Sequence, residues 1–212
     1  MARIKQGILG PVSGKLGPVT GGTWKGIPYL RQTSDKKVQQ RSLAQLANEG
    51  KFKFINDWLV PFHPYLSIGF QNLALGKTAI AAALSANYKT AFSGVFPDIQ
   101  VQYAEFQISS GPLSPPADVQ AAFISEDQIA LSWSQNYRPG AVYNDQLMLV
   151  LYSEALGLTD GFVGAVNRAV EQYTFKINPR LTGQPLHAYV SMTSMSRDLI
   201  ADSIYLGIIQ AL

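Results

Sequence analysis

Residues 129–135 read Ile-Ala-Leu-Ser-Trp-Ser-Gln. Large apolar and small residues alternate there, so Ile129, Leu131 and Trp133 share one face of an extended strand and Trp133 points into a core. A mostly alternating pattern recurs on both sides of this stretch. Downstream it marks strands at 146–153, 172–177, 186–193 and 203–210; upstream it marks one at 119–124, joined to the quoted stretch by the turn pair Glu126-Asp127. Further upstream Ile99, Val101 and Tyr103 share a face, and after a slip of phase such as a bulge produces, Ala104, Phe106 and Ile108 continue it. Seven strands in roughly 115 residues, with no long helix between them, predict an antiparallel β-sandwich over residues 98–212. The segment 154–170 reads as a long loop within it.

Before residue 98 the period is helical. Thr33, Ser34 and Asp35 offer side-chain acceptors for the free amides of a helix's first turn. Val38, Leu43, Leu46, Ala47, Phe54, Ile55 and Trp58 follow at about helical spacing until Pro61 stops the run. The other side of this helix shows Lys36, Lys37, Arg41, Lys51 and Lys53, a basic face that is either solvated or meant for phosphates or acidic protein. Residues 62–75, with proline at 64 and glycine at 69, read as a short helix or an irregular connection. Residues 78–92 are alanine-rich and predict a second helix, with Gly94 and Pro97 just past its end. The two predict a helical hairpin over 34–97, docked on the rest of the chain or on another copy.

The first 33 residues differ from everything after them. Residues 7–31 hold seven of the eighteen glycines, and the hexad Gly-x-Leu-Gly-Pro-Val occurs there twice, at 7–12 and 14–19. Glycine brings backbone entropy and no side chain, so such an arm buries little apolar surface by itself and needs something to lie against. Its candidate contact residues are Lys15, Trp24, Lys25, Tyr29 and Arg31, because a large aromatic beside cations is an anchor that fills a pocket. The fold class is therefore α+β: a Gly-rich arm (1–33) and a helical hairpin (34–97), then an antiparallel immunoglobulin-like β-sandwich (98–212).

Two resemblances bear on this reading. The run at 129–135, followed by HAYVSMTS at 187–194, resembles the tryptophan-bearing and tyrosine-bearing strands of fibronectin type III and related immunoglobulin-like domains. That likeness implies the sandwich fold, and it implies that the Tyr189 hydroxyl ties its strand to the corner Leu181-Thr182-Gly183. Over nearly the whole length, SGKLG at 13–17, TWKGIPYLR at 23–31, AQLANEGKFKFINDWLVPF at 44–62, IGFQN at 68–72 and DSIYLGII at 202–209 resemble a family of bacterial proteins of about this size known only as a domain of unknown function. It implies architecture and carries over no catalytic residue.

The residues name no chemistry. There are no cysteines, hence neither disulfides nor thiolate metal ligation, and only two histidines, His63 and His187, far apart in sequence. His63 sits in a turn between prolines, and His187 alternates outward if Ala188 and Val190 point inward; both read as structural or surface residues. Gly76-Lys77-Thr78 fails as a phosphate loop because Gln71 stands where a glycine is required. Ser13 and Ser110 lack a nucleophile-elbow context, and the scattered acids form no pair suited to glycoside hydrolysis. The expectation is no enzyme, no cofactor and no metal.

The net charge of +3 hides a polarity: residues 1–53 carry ten Lys and Arg against two acids, and residues 54–212 carry seven against twelve. A basic head of this kind attracts nucleic acid, an anionic surface, or the acidic body of another copy. No signal peptide and no membrane span are legible, which points to a cytoplasmic or virion protein. The leading expectation is a non-enzymatic structural or assembly protein, for instance a phage virion component, whose arm docks on neighbouring subunits, as a homo-oligomer or with other proteins. The alternatives are nucleic-acid binding by basic residues 1–53, and carbohydrate or peptide binding by sandwich loops bearing Tyr137 and Tyr143.

Overall fold

A computed structural model describes residues 2–3 (backbone only), 10–24, 26–33, 40–135 and 140–211. It divides into two compact units, Met1–Ser42 and Leu43–Leu212.

The first unit is a four-stranded antiparallel sheet in the order β1-β4-β3-β2, with β1 at Ala2–Arg3, β2 at Gly14–Leu16, β3 at Val19–Trp24 and β4 at Ile27–Gln32. The arm therefore pairs its own backbone, while most of its side chains stay exposed. Val12 crosses over the sheet at Gly21, where an added Cβ would strike the Val12 carbonyl oxygen. Thr33 belongs to this unit as well. Its amide donates to the Pro18 carbonyl at 2.7 Å and its Oγ1 lies 2.9 Å from Thr20 Oγ1. It is thus no helix cap, because strand pairing has claimed it. Ser34, Asp35 and Val38 lie outside the described residues.

The second unit opens with α1, Leu43–Leu59, later than the sequence pattern suggests. A single 3-10 turn carrying Pro61 leads into α2, His63–Gly69. Thr78 caps α3, Ala79–Asn87, by accepting the Ala81 amide at 3.1 Å. This helix ends before Phe92 because Asn87 is pinned from the side: its Nδ2 donates to the Ala83 and Gln107 carbonyls and its Oδ1 accepts the Gln107 amide. Phe92 instead begins β5, Phe92–Val95, which forms a two-stranded ribbon with β6, Asp98–Val101. The alternation at Ile99 and Val101 is real, but it serves this ribbon and not the sandwich, and residues 103–105 form a 3-10 turn where a bulged strand was expected.

The sandwich has two antiparallel sheets. One, in the order β11-β8-β7, is built from β7 (Ala117–Ser125), β8 (Gln128–Ser134) and β11 (Gln172–Lys176). The other, in the order β10-β9-β12-β13, is built from β9 (Gln146–Ser153), β10 (Leu158–Asn167), β12 (Leu186–Thr193) and β13 (Ile204–Ile209). Strand β10 replaces most of the expected loop at 154–170. Its glycines disguise it: Gly161 has φ +147° and packs so close to β9 that a Cβ would strike the Leu149 carbonyl oxygen.

Between the sheets, Ile129, Leu131 and Trp133 meet Leu147, Leu149, Leu151, Ala188, Val190 and Met192. The alternate residues of the same two central strands, Met148, Val150, Tyr152 and Tyr189, face the other way and pack with Ile55, Leu59, Phe62, Leu66, Phe70 and Ala83 of the helical segment. The unit is thus three-layered, with β9 and β12 as a shared wall between two cores. Each large side chain in that wall contributes about 1.5–3 kcal/mol through burial. Tyr189 lies on the helical side, where its hydroxyl donates to the Tyr103 carbonyl at 2.9 Å. The corner role implied by the fibronectin likeness is therefore not taken, and Leu181 enters the sandwich core instead.

Candidate functional site

Cross-strand partners in a sheet project to the same side. In the first unit Lys15 pairs with Thr20 and Thr20 with Arg31; Gly22 pairs with Tyr29, and Trp24 with Ile27. Following β3 in steps of two, Thr20, Gly22 and Trp24 share a face, so Lys15, Trp24, Tyr29 and Arg31 all stand on it. The Tyr29 ring lies over Gly22, its hydroxyl and ring carbons 3.1–3.4 Å from where a Cβ would be. Trp24 is 66% exposed, and Lys15 and Arg31 are exposed too. Lys25 lies outside the described residues. The sheet brings Lys15, Trp24, Tyr29 and Arg31, four of the five arm residues singled out from the sequence, onto one surface, and residues 1–34 contain no acid.

The basic helix face does not assemble in the same way. Lys36 and Lys37 lie outside the described residues, and Arg41 precedes α1. Lys51 turns inward: its Nζ donates to the Phe92 and Gly94 carbonyls at 2.9 and 3.2 Å and sits 5.4 Å from the centre of the Tyr88 ring. Lys53 is exposed, about 200° around the helix from Lys51. Of the loop aromatics, Tyr143 is exposed and Tyr137 lies outside the described residues.

Two polar clusters escaped sequence reasoning. At one end of the sandwich Arg168 and Asp145, 3% and 2% exposed, pair at 3.1 Å. Arg168 also donates to the Ser114 carbonyl at 2.6 Å, while its own carbonyl accepts the Trp133 indole N–H at 2.8 Å and the Asp145 carboxylate accepts the Val142 amide at 2.9 Å. Every member is tied to another strand or loop, which suits a structural clamp.

The second cluster surrounds His187, on the helix-facing side of β12. His187 is 5% exposed, so it is not the surface residue that alternation suggested. Its ring stacks on Tyr103 at 3.8 Å and its Nδ1 lies 2.8 Å from the Tyr205 hydroxyl. Burial holds its pKa below the ordinary value, against the partial pull of the Glu154 carboxylate. Burial, and secondarily the nearby Glu154 carboxylate, pushes the Tyr103 hydroxyl up, so it stays protonated. No spacing signal announces this cluster, because its members Tyr103, Glu154, His187 and Tyr205 come from four separate segments.

A family of unknown function, DUF6266, matches the chain over residues 10–207. The chain belongs to that family. No curated protein matches it. Among solved structures, the chain is similar to a fibronectin type III domain of human collagen alpha-1(XX), with 21% identity, 49% of this chain and 89% of that chain covered, and a TM-score of 0.36. It is similar to a fibronectin type III domain of human contactin 1 at 10% identity, covering 49% and 83% with a TM-score of 0.34. For the FN5 domain of Drosophila Lar the values are 11% identity, 46% and 97% coverage and a TM-score of 0.31. In this DUF6266 member, no three His, Cys, Asp or Glu side chains among the described residues are grouped to hold a metal ion. None of the described helices is long and apolar enough to cross a membrane.

Proposed function

We propose that this chain is a non-enzymatic structural or assembly protein that docks through its N-terminal sheet onto neighbouring copies of itself. The carrying observation is the common face of Lys15, Trp24, Tyr29 and Arg31 on a separate compact unit. Aromatic side chains beside cations are the usual anchors of an interface, since they bury much area at low entropy cost. The acidic excess after residue 53 supplies the complementary charge on every copy.

The test is solution mass by light scattering, with absorbance at 260 nm recorded across the peak. The expected outcome is a multimer that Trp24→Ser combined with Arg31→Glu reduces to single chains of 23.1 kDa with an unchanged circular dichroism spectrum. An unsubstituted chain that stays single at every concentration overturns the reading. The same face also favours a second one: cations and rings side by side on a sheet are the chemistry of a stacking platform for single-stranded nucleic acid. Bound material absorbing at 260 nm, removed steeply by salt, would put that reading first.

A further inference from the structure

The cluster around His187 opens on a recess of about 260 Å³ lined by Glu154, Ala155, Pro185, His187 and Ile208. We propose that this recess is a binding site for a primary ammonium group carried on a short apolar stem, a site separate from the docking face of the N-terminal sheet.

The geometry argues for that chemistry step by step. The His187 ring is fixed by its stack on Tyr103 and by the Tyr205 hydroxyl at Nδ1. Its Nε2 has no hydrogen-bond partner among the described residues, since the Glu154 carboxylate oxygen facing it is 4.0 Å away. Burial favours the neutral imidazole. The proposed site takes the tautomer in which Nδ1–H donates to the Tyr205 hydroxyl, which leaves the single lone pair on Nε2, beside the recess that His187 lines. The Glu154 carboxylate stands across from it and is near enough to the Tyr103 hydroxyl to help push that group's pKa up. A group seated between a lone pair and a carboxylate must donate at least two hydrogen bonds, and a positive charge adds the charge-assisted one to Glu154. An ammonium does both. A metal ion would need a third donor, which the described residues do not provide. Ala155, Pro185 and Ile208 make the remaining walls apolar, and the volume is below the roughly 300 Å³ at which drug-sized sites begin, so the stem is short. A free alkylamine and a lysine side chain of another copy offer the same head and stem.

The probe is n-butylammonium chloride titrated into the full chain, with the His187 ring resonances followed by NMR and n-butanol as the uncharged control. Saturable shifts with butylammonium and none with butanol are expected. Glu154→Gln, at an exposed side chain and so neutral for folding, weakens binding tenfold or more, and Ile208→Trp fills the recess and abolishes it. Non-saturable shifts, or equal affinity in Glu154→Gln, overturn the proposal. The source is read from the unliganded chain: shifts that grow with protein concentration and vanish in Lys15→Gln assign the ammonium to a neighbour's lysine, and their absence assigns it to free amines.

Discussion

Strands β8 and β9 stand opposite each other in facing sheets, yet they are written differently. In β8, Gln-Ile-Ala-Leu-Ser-Trp-Ser, buried and open positions alternate; in β9, Gln-Leu-Met-Leu-Val-Leu-Tyr-Ser, every residue after the first is buried. The cause is the number of covers. β8 shields one core and shows its other face to water, whereas β9 divides two cores and has no wet face. A continuous apolar run is the mark of a strand buried on both sides, and here helices supply the second cover to an antiparallel sheet.

The contrast is broken most severely at the helical cover. Phe62, fully buried and stacked on Trp58 at 4.7 Å, should cost about 4 kcal/mol when replaced by alanine. Urea unfolding should still be one transition, coincident by far- and near-ultraviolet circular dichroism, because the two cores share a wall. Two separated transitions would show the helices to be an independent appendage. Next comes the clamp behind Trp133. Asp145→Ala leaves the Arg168 charge buried and unpaired, with an expected loss of about 3 kcal/mol. Adding Arg168→Met should recover much of it in the same denaturation experiment.

A smaller effect distinguishes the helical side of the wall by pH. His187 is kept neutral by burial, so its folded pKa lies below its unfolded value of about 6.5. Between those two values the unfolded chain binds the extra proton, so stability is complete above pH ~6.5 and falls as pH drops toward the folded pKa. Denaturation midpoints at pH 7.5 and 5 should differ in the unsubstituted chain, and His187→Gln should remove most of that difference. The smallest change is expected on the wet face of β8, where Ser132→Thr should stay within about 0.5 kcal/mol. The matching Val150→Thr on the helical side of β9 places a hydroxyl in a core and should cost about 1–3 kcal/mol.

The strand runs of the sandwich were legible: Trp133 points inward as the run 129–135 requires, and strands β7, β8, β9, β11, β12 and β13 fall close to their expected places. The misreadings share one physical origin, contacts distant in sequence that outrank local signals. Thr33 looks like a helix cap until Pro18 and Thr20 pair with it. Strand β10 looks like a loop because Gly161 serves close approach to β9. Tyr189 fits a tyrosine corner by sequence, but the added helical layer creates a second core for it to fill. In the arm, composition singled out Lys15, Trp24, Tyr29 and Arg31, and only the strand register showed that they share a surface. The His187 recess left no trace in the sequence, since Tyr103, Glu154, His187 and Tyr205 come from four separate segments and no short segment contains two of them.

The one-signed face of the N-terminal sheet has a consequence for symmetry. Lys15 and Arg31 stand in one row across it with no acid among them. Two such faces set against each other about a two-fold axis would oppose like charges, so a self-complementary pair is disfavoured. Under the proposed self-docking, contacts would then run head to body, each copy offering one surface and receiving on another. Contacts of that kind close into rings when the rotation between copies divides the circle, and otherwise extend as helical filaments.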